Sequence, residues 1–173
     1  EHPVKLDSNP SEIGVVTFTD VTFRFPGAEE DTLHHISFTA KPGETTAFIG
    51  STGSGKSTLV NLIPRFFDVT EGRILVNGTD IRKVKKHDLR QDIGYVPQKG
   101  VLFSGTIESN IAYGLEKEDR RRVEKAAQVA QSVDFIREKP NGYESEIAQG
   151  GTNVSGGQRQ RLSIARAVAK DPQ

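Results

Sequence analysis

Apolar and polar residues alternate along Val15 to Phe25 and again along Leu33 to Thr39, the period-two rhythm of strands with one buried face. A shorter run, Thr45 to Ile49, ends in Ala47-Phe48-Ile49 and predicts a third, buried strand. The rhythm then changes: Leu59, Leu62 and Ile63 recur at helical spacing until Pro64, which ends or kinks a helix. Ile74-Leu75-Val76 followed by Asn77-Gly78 reads as a strand entering a tight turn, and Ile93 to Val96 adds a further strand. Val123, Ala126, Ala127 and Ala130 return to helical spacing. Glu1 to Ser11, with Pro3 and Pro10, reads as a linker, and residues 12–173 as one domain. The order predicts an α/β protein, a mixed sheet core with an antiparallel β flank and a helical subdomain at about residues 100–165. Neither an internal repeat nor a low-complexity segment interrupts it.

Between the third predicted strand and the first predicted helix lies Gly50-Ser51-Thr52-Gly53-Ser54-Gly55-Lys56-Ser57-Thr58. A glycine-rich loop of this spacing, leaving a strand and opening a helix, is a phosphate-binding loop. Several backbone N–H groups must turn inward around one phosphate chain, and a Cβ at Gly53 or Gly55 is expected to obstruct that. Lys56 adds a positive point charge for the β- and γ-phosphates, the opening helix adds the positive end of its dipole, and Ser57 offers a hydroxyl to Mg²⁺. The alternative is an ordinary strand-to-helix turn, but the flanking elements supply the context a nucleotide loop needs. This loop implies a nucleoside triphosphate and leaves its use open.

Near the other end, Asn153-Val154-Ser155-Gly156-Gly157-Gln158-Arg159-Gln160-Arg161 puts a serine and two glycines ahead of a helical run, Leu162 to Lys170. Ser155 reads as an N-cap whose hydroxyl accepts from first-turn amides, and Gly156 and Gly157 leave backbone N–H groups open to an anion. Together with the phosphate loop, this segment resembles the signature motif of ATP-binding cassette (ABC) ATPases, with Val154 where the family usually has Leu. The resemblance implies that Ser155, Gly156, Gly157 and Gln158 of one subunit cover the γ-phosphate held by the phosphate loop of another. The chain would then work as one half of a nucleotide-sandwich dimer.

Further segments fit the same family. Val21-Thr22-Phe23-Arg24-Phe25-Pro26-Gly27 ends in a turn, and Phe25 falls where ABC proteins place an aromatic, more often Tyr, that stacks on adenine. Stacking needs only a π-face, so Phe25 keeps the base while losing a polar tip; the alternative is a strand-end core residue. Gly94-Tyr95-Val96-Pro97-Gln98 resembles the Q-loop, which implies that Gln98 reaches Mg²⁺ and the attacking water. Lys99 to Ile111 resembles the exporter branch, in which this stretch contacts transmembrane helices at their cytoplasmic ends. Phe103 is there either a docking residue or a satellite-core aromatic. Ser145 to Gly151 is similar to an exporter segment that senses the transmembrane domain, with Gln149 and Gly150 where the family often carries Glu and Arg.

Composition narrows the setting. With 34% hydrophobic and 27% charged residues the chain is ordinary for a soluble globular domain. It has no Cys, which removes disulfides and thiolate metal sites. Its 23 basic and 23 acidic residues give zero formal net charge and argue against nucleic acid as a partner. The basic cluster Arg82 to His87 reads as a solvated helix start, and Arg120-Arg121-Arg122 among acidic neighbours as a mixed-charge helix face. Asn77-Gly78-Thr79 and Asn153-Val154-Ser155 match a glycosylation acceptor, but one reads as a turn and the other as a phosphate site. No apolar run approaches a membrane span, so membrane contact is expected only through a transmembrane partner, at the cytoplasmic face of a membrane.

In the family, an apolar strand with an Mg²⁺-organising Asp, a general-base carboxylate and a switch histidine come next; here the sequence stops at Asp171-Pro172-Gln173 and contains no Met. The expectation is a portion of a longer protein that binds nucleotide weakly and hydrolyses almost none alone. That following strand would lie beside the phosphate-loop strand, leaving a central edge unpaired without it. The resemblance implies the nucleotide-binding half of an exporter, with ATP and Mg²⁺ as ligands, Lys56 and Gln98 as catalytic residues and Ser57 and Gln98 at the metal. Two alternatives stay open: a soluble ABC ATPase of DNA repair or translation, and a binding-only module with a degenerate site.

Overall fold

In the computed structural model, residues 4–6, 11–117 and 119–172 are described. Their contacts gather into two compact units, one running up to Arg90 and the other Gln91–Pro172.

The first unit is built on an antiparallel sheet of four strands in the order β2-β1-β3-β4: β1 Val16–Phe23, β2 Leu33–Ala40, β3 Glu71–Val76 and β4 Thr79–Asp80. Along β1, Phe18, Val21 and Phe23 are all buried, although residues 18 and 21 are out of phase in a regular strand. A bulge resolves this: the register shifts between Phe18 and Val21, and Asp20 adopts φ 50°. One extra residue returns the apolar set to the core face. Phe18 stacks on Phe38 of β2 with ring centroids 4.5 Å apart. The predicted tight turn is Asn77-Gly78, with φ 51° and 75°, between β3 and β4. Helix α1, Lys56–Leu62, buries Leu59 and Leu62 and stops before Pro64.

Two predicted strands do not form. Thr45 to Ile49 and Ile93 to Val96 have no ladder partner among the described residues, and Ile49 is 96% exposed. The apolar runs are real, but a strand exists only through the neighbour that takes its N–H and C=O groups. The sheet of the described residues is therefore wholly antiparallel rather than mixed. Most of the predicted linker lies outside the described residues; Val4 makes a parallel bridge to Val84.

The second unit is helical. It holds α3 Ile107–Ile111, α4 Arg120–Val129, α5 Val133–Arg137 and α6 Gly156–Ala169, with a small antiparallel pair β5 Gly105–Thr106 and β6 Glu146–Ile147; α2, Lys86–Gln91, lies at the boundary. The alanines Ala126, Ala127 and Ala130 predicted to recur on a helix are buried with Leu162, Ala165 and Ala169 of α6, Ile107 and Ile111. Small side chains let α4 and α6 pack closely. Arg120 bears out the mixed-charge face: it pairs with Glu108, with Glu124 at 2.9 Å and with Glu144 at 3.5 Å.

Candidate functional site

The chemistry-bearing residues form one group in each unit. In the first, Gly50 to Thr58 wraps a cavity of about 180 Å³ lined by Thr32 and residues 53–58. Gly53 and Gly55 both take left-handed φ, 83° and 84°, which L side chains adopt only with strain. The expected obstruction by a Cβ holds at Gly55, where it would lie 2.8 Å from Leu33 Cδ2 and 3.0 Å from the Thr32 carbonyl oxygen. At Gly53 nothing lies within 4 Å, so the need there is conformational and not steric. The Lys56 ammonium donates to the carbonyl oxygens of Gly50 at 2.9 Å and Ser51 at 2.6 Å and to Ser54 Oγ at 3.1 Å. In the cavity wall Ser57 is exposed and Thr58 half-buried; Ser51 and Thr52 are exposed and lie outside that wall.

Phe25 lies just beyond β1, where the Ala28 N–H donates to its carbonyl and closes the turn through Pro26 and Gly27. It is 37% exposed and meets Phe23 and Phe67 edge-to-face, with centroids 4.8 Å and 5.3 Å away. Arg24 pairs with Asp31 at 2.7 Å, and this hydrogen bond holds the Asp31 carboxyl below its ordinary value. Thr32, whose N–H donates to the Phe23 carbonyl, joins that strand to the phosphate-loop cavity. Sequence reasoning missed Thr32 and Phe67 because neither belongs to a motif and only the fold brings them alongside one.

In the second unit, Gln98 is exposed on a bend and is not preceded by the strand predicted for it. It shares a groove of about 660 Å³ with Lys99, Gly156, Arg159 and Gln160. Gln160 Nε2 donates to the Pro97 carbonyl, and a Cβ on Gly100 would lie 2.8 Å from the Arg159 carbonyl oxygen, so the segment after Gln98 lies flush on α6. Phe103, left open as docking or core, is 44% exposed and lies 4.6 Å from Tyr113.

Ser155 caps α6 as predicted, within a reciprocal capping box: its Oγ accepts from the Gln158 N–H at 3.2 Å, and Gln158 Oε1 accepts from the Ser155 N–H at 3.0 Å. The Gln158 side chain is thus committed to the helix start, while the hydroxyl proton of Ser155 remains to be donated. Gly157 has nothing within 4 Å of where a Cβ would stand, and at Gly156 only the Arg159 guanidinium approaches, at 3.9 Å. Two residues outside the predicted set shape the loop ahead of this cap. Asn153 accepts from the Ala148 N–H and donates to the Glu146 carbonyl; Arg159 Nη1 donates to the carbonyls of Gly151 at 3.0 Å and Val154 at 3.1 Å. A Cβ on Gly151 would meet Arg159 Cδ at 2.9 Å. Val154, in place of the family's Leu, is buried in the core.

Residues 33–173 match the family model for the ABC transporter. The chain belongs to the ABC transporter family. It is 46% identical to the ABC transporter ATP-binding protein YfiB of Bacillus subtilis over 92% of its length and 28% of that protein's. It is 45% identical to an ATP-dependent lipid A-core flippase of Methylobacillus flagellatus over 96% of this chain and 30% of the flippase. The solved structure of a bacterial Atm1-family ABC exporter with ATP bound superposes with a TM-score of 0.91 at 42% identity, covering 99% of this chain and 30% of the exporter. The fold is therefore that of the ABC ATPase of exporters, and the chain corresponds to their nucleotide-binding domain. It spans less than a third of the length of these relatives. Among the described residues no helix is long and apolar enough to cross a membrane.

Proposed function

We propose that this chain is the ATP-binding and hydrolysing domain of an exporter, working as one of two such domains attached to transmembrane segments at the cytoplasmic face of a membrane. The observation that carries the reading is the loop Gly50 to Thr58, with the Lys56 ammonium on the carbonyls of Gly50 and Ser51 and left-handed φ at Gly53 and Gly55. In this reading those amides and Lys56 bind the β- and γ-phosphates, and the Phe25 ring takes adenine.

The oxygen donors Ser57 and Gln98 are of the type Mg²⁺ prefers. Mg²⁺ with a nucleotide asks for one or two protein oxygens beside phosphates, and in this reading Ser57 would supply one and Gln98 another. Bound there, the ion would neutralise charge on the phosphates. Ser155, with a free hydroxyl proton, and the open amides of Gly156 and Gly157 serve the nucleotide of the opposing domain, and Gln158 serves by fixing Ser155. Gln98 orients the attacking water and, through its segment on α6, links nucleotide to membrane domain.

The test is ATP turnover by the full transporter containing this chain. Lys56→Ala should abolish turnover and weaken ATP binding at least tenfold; unchanged turnover would refute the assignment.

A further inference from the structure

Beside Phe25 stands a ring that no motif includes. Phe67 is 38% exposed and meets Phe25 edge-to-face at 5.3 Å and an interplanar angle of 83°, while the buried Phe23 touches both, at 4.8 Å and 5.6 Å. Phe67 is held firmly. The turn that carries it is closed by Arg65, whose Nε donates to Asp68 at 2.6 Å, and Arg65 Nη1 also donates to the carbonyls of Ile81, Arg82 and Val84. Arg90 Nη2 donates to the Arg65 carbonyl from another side. Downstream, the Thr70 N–H donates to the Thr22 carbonyl, and Thr70 Oγ1 accepts from the Arg24 N–H, stitching this segment to the strand that ends in Phe25. The Phe67 segment is thus tied to the strand that ends in Phe25 on one side of the aromatic contact, and to residues 81–84 and Arg90 on the other.

We infer that Phe67 is a positioning residue for nucleobase binding: it fixes the ring plane of Phe25 against the buried Phe23. The inference rests on the reading of Phe25 as the base-stacking ring. A single exposed ring at the end of a strand turns about its χ angles, and a base gains full stacking only from a ring already held in place. Edge-to-face contacts on Phe25 supply that restraint without occupying a hydrogen-bonding group of the ligand.

The experiment compares the affinity of the full transporter for Mg²⁺-ATP and for Mg²⁺-tripolyphosphate, which has no base, by calorimetry. Phe67→Ala should weaken ATP about three- to tenfold, the range of one aromatic pair, and change tripolyphosphate less than twofold. Phe67→Tyr, which keeps the ring, should restore ATP binding. Phe25→Ala is the control for the underlying reading and should weaken ATP at least as much, again sparing tripolyphosphate. If Phe25→Ala leaves ATP affinity unchanged, the base-stacking reading of Phe25 falls. If Phe25→Ala weakens ATP but Phe67→Ala does not, Phe67 has no positioning role. Equal loss of both ligands in Phe67→Ala would make it a folding residue and overturn the inference as well.

Discussion

Arg159 offers the sharpest test of how the signature segment keeps its shape. Its guanidinium donates from one nitrogen to the carbonyls of Gly151 and Val154, at 3.0 Å and 3.1 Å, while its stem lies against Gly151. Arg159→Met keeps the stem and removes the donors. A hydrogen bond involving a charged group contributes about 1.5–3 kcal/mol, and these are partly open to water, so the pair should give roughly 2–3 kcal/mol together. For a domain of this size that is a fall in melting temperature of roughly 4–12 °C. Arg159→Lys, which still brings an ammonium near the carbonyls, should fall between Met and the parent. The assay is thermal melting by circular dichroism, paired with ATP affinity. On the proposed reading, ATP affinity at Gly50 to Thr58 should change less than twofold, because those residues belong to the other unit, while turnover that depends on Ser155 drops. A melting shift under about 1 °C, or a Lys variant as damaged as Met, would refute the role given to the two carbonyl contacts.

Three further outcomes are expected. Leu162→Ala opens a cavity at a fully buried position between the helices and should cost about 2–5 kcal/mol, read as a lower urea midpoint at unchanged slope. The imidazole of His35, hydrogen-bonded to Asp20 at 2.8 Å, should titrate above the ordinary histidine range by NMR, and Asp20→Asn should bring it back. The sign follows: folding favours the protonated ring, so this pair's stabilisation is complete below the unfolded value and is lost as pH rises through the raised one. Since Phe25 and Phe67 present rings without polar tips, ATP and GTP should bind within about threefold of each other, and a larger preference for either would mean that another group reads the base edge.

What the sequence disclosed, and what it withheld, divides along one line. Elements whose cause is local were legible: the β1–β2 alternation, the Asn77-Gly78 turn, the Ser155 cap and the alanine face of α4 are each written in a few neighbouring residues. The local geometry of Gly50 to Thr58 has the same kind of cause, since its glycines and Lys56 act on backbone groups within the same stretch. The failures lie where the cause is a distant partner. Thr45 to Ile49 and Ile93 to Val96 have the composition of strands but no neighbour to pair with among the described residues. Thr32 and Phe67 act across segments that only the fold brings together.

The same distinction changes how the signature segment is understood. Gln158, which the resemblance places at the nucleotide, turns both its backbone N–H and its side-chain oxygen toward Ser155. Ser155 in turn spends a lone pair, and not its proton, on the helix start, so capping and phosphate donation do not compete for one group. Asn153 on one side and Arg159 on the other then hold the approach to the cap, so on the proposed reading Ser155 does not have to be ordered by a nucleotide. A hydroxyl fixed before binding loses little entropy on binding. On the proposed reading, variants at Asn153, Gln158 and Arg159 should lower turnover through Ser155, and a Ser155→Ala background should remove most of their effect.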